Sequence, residues 1–337
     1  MSDRQITIAI DAMGGENSPF KIISGTKLFL KNYSNVKVVF FGEENELEKQ
    51  IKLNKFTDYN YEIINTNENV QDDDSASTIL RNRKNSSIYK GLEYVKNTPN
   101  SGFVSAGNTA ALMILSRLIL GTIKGIDRPA ICSLIPNKNS SSVMLDLGAN
   151  VNVNASNIFQ FALMGYSFFS AMKISKTPKI GIINIGTEDN KGLEILQEAS
   201  DLINNSFLKQ NYIGFIEPNK IYSGDCDIMV SDGYTGNIML KTMEGLSKFI
   251  TNNLKNVFEK SVYNKIAYKI LEKDLNAFKD RVNPEKYNGA TLIGLNGISI
   301  KSHGSCSPYA FNCALIKCFD FILNDLNKKI VDNFNNL

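Results

Sequence analysis

Six segments of this chain each pair a short apolar run with Gly, Asp or Asn near its end, and this pattern limits the fold more than any other feature. The segments are Ile6–Gly15, Val38–Gly42, Gly102–Leu112, Val143–Asn150, Ile180–Gly186 and Ile228–Asn237. Short apolar runs bounded by turn residues are typical of buried strands, and helix-like segments separate them here. Ligands of open α/β sheets bind at the carboxyl ends of strands. The pattern therefore predicts an α/β fold with a ligand site where several strands end.

Gly102–Leu112 shows the pattern most clearly. An apolar run ends at Val104, and Thr109 opens a helix-like segment. A strand that ends at a helix N-terminus leaves backbone N–H groups unpaired, and such groups suit an anion such as phosphate. An ordinary strand-to-helix turn explains the same residues, with Gly107 at positive φ and Asn108 or Thr109 as the helix cap. The repetition of the arrangement along the chain favours the ligand-binding interpretation.

Composition argues against several classes of protein. The chain has 337 residues, of which 43% are hydrophobic, and this suits one large α/β unit or about two domain-sized units. A net charge of +3, without a basic stripe interleaved with aromatic residues, argues against nucleic-acid binding. Five cysteines without a CxxC pair indicate a reducing compartment rather than a disulfide framework. We expect no secretory signal, and we expect the longest uncharged apolar-rich run, Ile158–Met172, to be a buried helix because it is too short to span a bilayer.

Familiar catalytic and nucleotide-binding motifs are missing from the sequence. Neither G-x-G-x-x-G nor a P-loop is present, although Gly14 and Gly15 after the first apolar run let the backbone approach a ligand closely. No G-x-S-x-G elbow is present, and a Ser-His-Asp triad would have to use His303, the only histidine. His303, beside a glycine at a strand end, suits either acid–base catalysis or a structural hydrogen bond. Cys306, three residues later, is a minor candidate for an acyl-thioester intermediate.

Three charged segments each allow a functional and a structural interpretation. Residues 81–87 (RNRKNSS) form either an anion-binding cluster or a solvated basic surface, and on one helix Arg83 and Ser87 would share a face. The acidic residues 72–74 suggest either a metal site or a solvated turn that complements a helix dipole. Lys191, beside a glycine at an expected helix start, either meets an anion or is exposed.

The later part of the chain predicts a mixed sheet and a basic helical region. The short polar turn at 137–142 implies an antiparallel strand pair in an otherwise parallel sheet. Apolar residues from Leu246 to Phe278 follow helical spacing, and seven lysines against three acids lie between 246 and 279. This region suits either an anionic membrane surface or packing on the body or on a partner subunit. Ala290–Lys301 indicates one strand with a glycine bend, and the tail from Asn327 is expected to fray.

Ten collinear stretches, from residue 8 to about residue 320, resemble the phosphate acyltransferase family of bacterial phospholipid synthesis. They are IAIDAMGG (8–15), RNRKNSS (81–87), FVSAGNTAALM (103–113), GIDRPA (125–130), LDLGAN (145–150), FQFALMG (159–165), NIGTEDNKG (184–192), SGDCDIMVSDGYTGNIMLKTMEG (223–245), GATLIGLNG (289–297) and KSHGS (301–305). Three positions depart from the family's pattern. Glu16 replaces an Asp, Ala110 replaces a Gly, and Asn288 replaces the first glycine of a pair.

The resemblance implies a three-layer α/β/α fold with a mixed sheet, like that of isocitrate and isopropylmalate dehydrogenases. Residues 1–337 would form a single unit of two intertwined subdomains, with a basic amphipathic helical region at 246–280. The resemblance also implies a homodimer that converts long-chain acyl-[acyl carrier protein] and inorganic phosphate to acyl phosphate and free carrier protein. No cofactor or metal is expected. The product would feed glycerol-3-phosphate acylation by a membrane glycerol-3-phosphate acyltransferase. We accordingly expect a cytoplasmic enzyme in peripheral contact with an anionic membrane.

Two alternatives to this function remain at the level of the sequence. One is a phosphotransacetylase-like enzyme that takes acyl-coenzyme A. The other is a non-catalytic membrane-associated scaffold, against which the presence of Arg83, Lys84, Asn108 and His303 argues.

The matching stretches also predict the site residues. Donors to the phosphate or the thioester are expected from Gly14, Gly15, Gly107, Asn108 and Thr109. Candidate phosphate partners are Arg83, Lys84 and Lys191, and candidates for carbonyl binding or proton transfer are Asn237 and His303. The expected catalytic set is His303, Asn237 and Lys191. Phosphate is already an anionic nucleophile near neutral pH, so a site that binds and orients it needs no triad.

Overall fold

One large sheet organises the chain. The computed structural model of the protein describes residues 5–70, 74, 76–172 and 177–335. The strands are β1 (Thr7–Asp11), β2 (Lys37–Gly42), β3 (Tyr61–Asn65), β4 (Ser101–Ser105), β5 (Ala130–Pro136), β6 (Ser141–Leu145), β7 (Ile180–Ile183), β8 (Tyr212–Ile216), β9 (Ile228–Val230), β10 (Ala290–Ile293) and β11 (Ile298–Lys301). The helices are α1 (Phe20–Leu30), α2 (Glu44–Leu53), α3 (Ala76–Asn82), α4 (Ser87–Asn97), α5 (Thr109–Leu120), α6 (Ala155–Ala171), α7 (Glu194–Asn204), α8 (Gly233–Glu259), α9 (Val262–Ile270), α10 (Glu272–Val282), α11 (Pro308–Leu323) and α12 (Leu326–Asn335).

The sheet consists of two parallel groups that run against each other. Its order is β3-β2-β1-β4-β11-β10-β5-β6-β9-β7-β8. β3, β2, β1, β4 and β11 are mutually parallel, and so are β6, β9, β7 and β8. Three antiparallel pairings, β11–β10, β10–β5 and β5–β6, separate the groups. Because three reversals leave the groups antiparallel, their carboxyl ends point in opposite senses along the sheet. The predicted mixed sheet is confirmed, and the strand ends divide into two groups.

Helices cover both faces of this sheet. α1, α2, α6, α7, α11 and α12 pack on one face, and α3, α4, α5 and the start of α8 pack on the other. α6 lies almost wholly in the core, where Phe161, Phe168 and Phe169 are buried. The apolar run at 158–172 is therefore a core helix, as predicted. None of the helices in the described part of the chain is long and apolar enough to cross a membrane.

Two predictions about the C-terminal quarter are wrong. The segment Ala290–Lys301 is not one strand, because Gly294 adopts a φ of 94° and turns the chain so that β10 pairs antiparallel with β11. The tail does not fray from Asn327, because the helix α12 packs on α6. Ile330 is fully buried there, and the Asn333 side chain donates to Ser167 Oγ at 2.8 Å.

The basic region at 246–278 is helical, as predicted, but it is not one helix. It comprises the end of α8, then α9 and α10. Ser261 caps α9 by accepting a hydrogen bond from Asn264 N at 3.1 Å, so the helix restarts there. We call residues 246–282 the helical arm. Its large apolar side chains are exposed at Leu246, Phe249, Ile250, Val257, Val262, Tyr263, Ile266, Ile270, Leu271 and Phe278.

Candidate active site

Three loops meet at the carboxyl ends of β1, β4 and β11, and we call them the three-loop site (residues 12–19, 106–108 and 302–307). A Cβ added to Gly14 would lie 2.3 Å from Asp11 Oδ2 and 2.5 Å from the Gly107 backbone nitrogen. Gly15 has a φ of 81°, and a Cβ there would lie 2.6 Å from the Gly304 carbonyl oxygen. The loops therefore touch through their backbones, and only glycine fits at the two contact positions.

Asp11, at the end of β1, fixes two of the three loops, those after β1 and β4. Its buried carboxylate accepts from the hydroxyls of Ser87 and Ser105, both at 2.6 Å, and from Met13 N at 3.2 Å. Burial raises the pKa of Asp11, and the bonds from the two serines act in the opposite direction. The carboxylate thus ties β1 to β4 and to the start of α4. Asp11 is not among the predicted site residues, although its position at a strand end before two glycines is a signal.

His303 lies in the loop after β11 with one ring nitrogen already engaged. Its Nδ1 accepts from Ser305 N at 3.2 Å and lies 3.0 Å from Ser305 Oγ. A backbone N–H can only donate, so Nδ1 carries no proton and the neutral ring is protonated at Nε2. Burial lowers the pKa of His303, Glu244 opposes that change, and Lys241, Lys301 and Lys248 add to it. The structure therefore presents a neutral imidazole with an Nε2–H donor.

Asn288 fixes the position of the His303 loop. Its Oδ1 accepts from His303 N at 3.0 Å, and its Nδ2 donates to Ser302 Oγ and to the Ala310 carbonyl, both at 2.7 Å. A glycine at this position would make none of these bonds. This departure from the family's pattern thus supplies a support for the loop that carries His303. The sequence alone did not show that role.

The loop after β4 is partly engaged within the protein. Gly107 N donates to Ser105 Oγ at 3.0 Å, and Asn108 Oδ1 caps α5 by accepting from Ala111 N at 2.9 Å. Gly107 is not at positive φ. An added Cβ there would lie 3.0 Å from Asp11 Oδ2, so a larger residue would have to displace that carboxylate slightly. Thr109 is exposed at the first position of α5. The Asn108 cap is confirmed, and the positive φ at Gly107 is wrong.

Arg83 and Ser87 do not converge on one helix face, because α3 ends before Arg83 and α4 begins at Ser87. The Arg83 guanidinium donates two hydrogen bonds to Asp74, at 2.8 and 2.9 Å, whereas Ser87 turns towards Asp11. Lys84 is exposed and lines an open surface groove. Residues 71–73 and 75 of the acidic segment lie outside the described residues.

Asn237 and Lys191 belong to the second group of strand ends. A Cβ on Gly148, after β6, would lie 3.4 Å from Asn237 Cβ near the start of α8. Lys191, in the loop after β7, is exposed and lies 3.9 Å from Glu188. Asp146 organises this group, since its carboxylate accepts from the backbone nitrogens of Ile131, Gly148, Ala149 and Asn150.

α8 connects the two groups. It starts after β9 and carries Asn237 near that end. The charged residues Lys241, Glu244 and Lys248, farther along the same helix, act on His303. Apart from Arg83 and Lys84, the predicted site residues therefore fall into two clusters linked by one helix. The first holds Gly14, Gly15, Gly107, Asn108, Thr109 and His303, and the second holds Asn237 and Lys191. Within the ranges that the structure describes, no group of three or more His, Cys, Asp or Glu side chains is placed to hold a metal ion.

Comparison with known structures shows the fold. A phosphotransacetylase from Streptococcus pyogenes superposes with a TM-score of 0.64 at 19% identity and covers 95% of both chains. The EutD phosphotransacetylase from Staphylococcus aureus gives a TM-score of 0.58 at 15% identity, over 100% of this chain and 96% of that one. The chain therefore shares a mixed α/β fold with phosphotransacetylases.

Comparison of sequences shows the family. The family described as "Fatty acid synthesis protein" matches residues 6–329. The phosphate acyltransferase of Coxiella burnetii (strain RSA 493 / Nine Mile phase I) is 42% identical over 92% of this chain and 91% of that protein. Those of Clostridium tetani and Rhodospirillum rubrum are 38% and 37% identical, over 96% and 97% of this chain and 98% and 94% of the relatives. The chain belongs to the phosphate acyltransferase family of fatty acid synthesis proteins, and it is an acyltransferase.

Proposed function

We propose that this acyltransferase transfers a long-chain acyl group from acyl-[acyl carrier protein] to inorganic phosphate. A phosphate oxygen attacks the thioester carbonyl, a C–O bond forms, the C–S bond breaks, and the thiolate leaves with the electron pair. The observation that carries the proposal is His303, because Ser305 N occupies its Nδ1 and leaves Nε2–H as the donor. Its loop meets the backbone at Gly15, and the charges of Lys241, Lys248 and Lys301 act on it. Such a donor stabilises the oxyanion that forms on the thioester carbonyl.

The remaining site residues take subsidiary roles in this proposal. Gly14 and Gly15 let the loops after β1, β4 and β11 pack together where we place the phosphate. We assign Asn237, on α8, to the acyl thioester. Lys191 and Lys84 are exposed, so their reach to the phosphate stays a prediction. Arg83 already pairs with Asp74, which makes it a weaker phosphate partner than the sequence suggested.

Incubation of the purified protein with a long-chain acyl-[acyl carrier protein] and phosphate tests the reaction. We expect hydroxylamine to trap an acyl hydroxamate whose formation depends on both phosphate and protein. Acyl-coenzyme A is the alternative donor that the sequence leaves open, and the same assay tests it. If product forms only from acyl-coenzyme A, then acyl-coenzyme A replaces acyl-[acyl carrier protein] as the donor in this proposal. No product from either thioester with a folded protein would favour the scaffold.

We further propose a homodimer whose helical arms contact an anionic membrane in the cytoplasm. The support is the exposed apolar surface of the arm together with its excess of lysines, because apolar burial and basic charge together bind anionic bilayers. A peripheral position would deliver acyl phosphate to a membrane glycerol-3-phosphate acyltransferase. The three antiparallel pairings at the centre of the sheet fit the finer expectation of two intertwined subdomains, as in isocitrate and isopropylmalate dehydrogenases.

Flotation with vesicles tests the membrane contact. We expect the wild-type protein to float with anionic vesicles in a salt-sensitive manner. Phe249→Glu should reduce the bound fraction about tenfold or more, since burying a phenylalanine contributes ~1.5–3 kcal/mol. Leu53→Glu is the matched control, because Leu53 lies outside the arm and is 68% exposed against 67% for Phe249. Sedimentation at the same concentration reports whether either variant alters the dimer. Flotation that is absent, or unaffected by salt, contradicts the proposal.

A further inference from the structure

Two lysines flank His303 with their ammonium groups. Lys21 projects from α1, is only 3% exposed, and donates to the Gly304 carbonyl. Lys301 ends β11, is partly buried, and donates to the Ser302 carbonyl. The two carbonyls lie one residue before and one residue after His303. Each ammonium is thus held against the loop that carries the imidazole.

Neither ammonium has an acidic side chain as an ion-pair partner within 4 Å among the residues that the structure describes. Each has three donor protons, and the carbonyl bond uses one. Asp11, a buried carboxylate whose charge acts on both lysines, already accepts from Ser87, Ser105 and Met13. A buried cation is costly unless it is paired. An anion that enters the three-loop site would supply that pairing.

The surroundings of Lys301 are cationic as well. Burial lowers the pKa of Lys301 to about 8, Cys306 and Asp11 oppose that change, and Lys21 and Lys241 add to it. Lys241 reaches the site from α8, but its Nζ pairs with Glu244 Oε2 at 2.9 Å. It therefore contributes positive electrostatic potential rather than a free hydrogen-bond donor. An added Cβ on Gly15 would lie 2.8 Å from Lys21 Nζ, which places the backbone of the β1 loop beside the same ammonium.

We propose that Lys21 and Lys301 are the principal binding residues for the phosphate nucleophile, an assignment that rests on the proposed function. In this arrangement the thioester carbonyl accepts a hydrogen bond from His303 Nε2–H, and the two lysines hold the phosphate next to that carbonyl for the attack. This arrangement places nucleophile and oxyanion donor within one loop cluster, in accord with the need for close orientation. It replaces Arg83, which is paired with Asp74, as the main cationic partner.

Direct titration with inorganic phosphate, without an acyl donor, tests the assignment. We expect Lys301→Met and Lys21→Met each to weaken phosphate binding by about tenfold to hundredfold, because each removes a hydrogen bond between charged groups. Lys27→Met is the matched control, because Lys27 also lies on α1 and donates to a backbone carbonyl, that of Asn54. Its phosphate affinity should equal that of the wild type. Folded Lys21 and Lys301 variants that bind phosphate as tightly as the wild type would overturn the assignment.

Steady-state kinetics separates phosphate binding from mere support of the loop. Each methionine variant should raise KM for phosphate and leave KM for the acyl donor unchanged, and Lys301→Arg should restore part of the phosphate affinity. Phosphate affinity should fall above about pH 8, where Lys301 loses its proton next to Lys21, Lys241, Asp11 and Cys306. Equal losses for both substrates with a lowered Tm would overturn the assignment in favour of a structural role.

The assignment of Lys21 and Lys301 to phosphate and the proposed reaction can be rejected independently of each other. Lysine-dependent phosphate binding without acyl phosphate formation would leave the site intact and reject the proposed reaction. Acyl phosphate formation with unchanged phosphate affinity in both variants would reject the site and leave the reaction intact.

Discussion

Gly14→Ala is expected to lower acyl phosphate formation by about a hundredfold or more, because a shift of ~1 Å in a site that orients reactants has effects of that size. The added Cβ would lie 2.3 Å from Asp11 Oδ2 and 2.5 Å from Gly107 N. One contact is a buried carboxylate held by three donors, and the other is backbone. Neither can move without separating the loop after β1 from the loop after β4.

The same substitution should cost about 1–3 kcal/mol of stability, the usual effect of overpacking. Thermal unfolding by circular dichroism and the hydroxylamine assay measure the two effects together. Gly245→Ala is the control, because an added Cβ meets nothing within 4 Å at that exposed position of α8. It should be neutral, or stabilising by up to ~1 kcal/mol. Activity of Gly14→Ala within about threefold of the wild type would show that the loops do not need this contact.

Local patterns predicted most of the strands and helices. β1, the β5–β6 hairpin and the buried α6 follow directly from runs of apolar residues and the turns between them. The reversal of the second parallel group does not follow from local patterns, because it depends on which strands pair with β10 and β5. That pairing is a long-range property. Consequently the sequence grouped Lys191 and Asn237 with the first strand ends, although they follow strands that run the other way.

The candidate site was predictable only where a motif carried it. His303 and the glycines stand in recognisable stretches at strand ends. Lys21 does not, because it belongs to an ordinary helix and reaches Gly304 across 283 residues of sequence. The bonds that Asp11 accepts from Ser87 and Ser105 span 76 and 94 residues. No local spacing contains such contacts, so they emerge only once the sheet is assembled.

His303→Ala is expected to lower kcat by about 10²–10³-fold, the usual effect of removing one oxyanion donor. Phosphate affinity should change little, because Lys21 and Lys301 hold the phosphate in our proposal. His303→Gln keeps an N–H donor and should retain more activity than alanine. Single-turnover formation of acyl phosphate measures the chemical step. Turnover of His303→Ala within about threefold of the wild type would exclude a direct role, since proton transfer alone contributes ~10²-fold or more.

The pH profile decides how His303 acts. Its pKa is lowered from 6.5, and Ser305 N donates to Nδ1 only while that nitrogen is unprotonated. If the oxyanion donor is the neutral ring oriented by Ser305, kcat should be level near neutral pH and should fall as pH decreases through the lowered pKa. The protonated ring keeps its Nε2–H but loses the Ser305 bond that orients it. The His303→Gln variant should lack this acid limb. If the imidazolium were instead a general acid for the leaving thiolate, kcat should rise as pH decreases through the same range. The two mechanisms therefore predict opposite slopes below pH 6.5, and the observed Nδ1 bond favours the falling one.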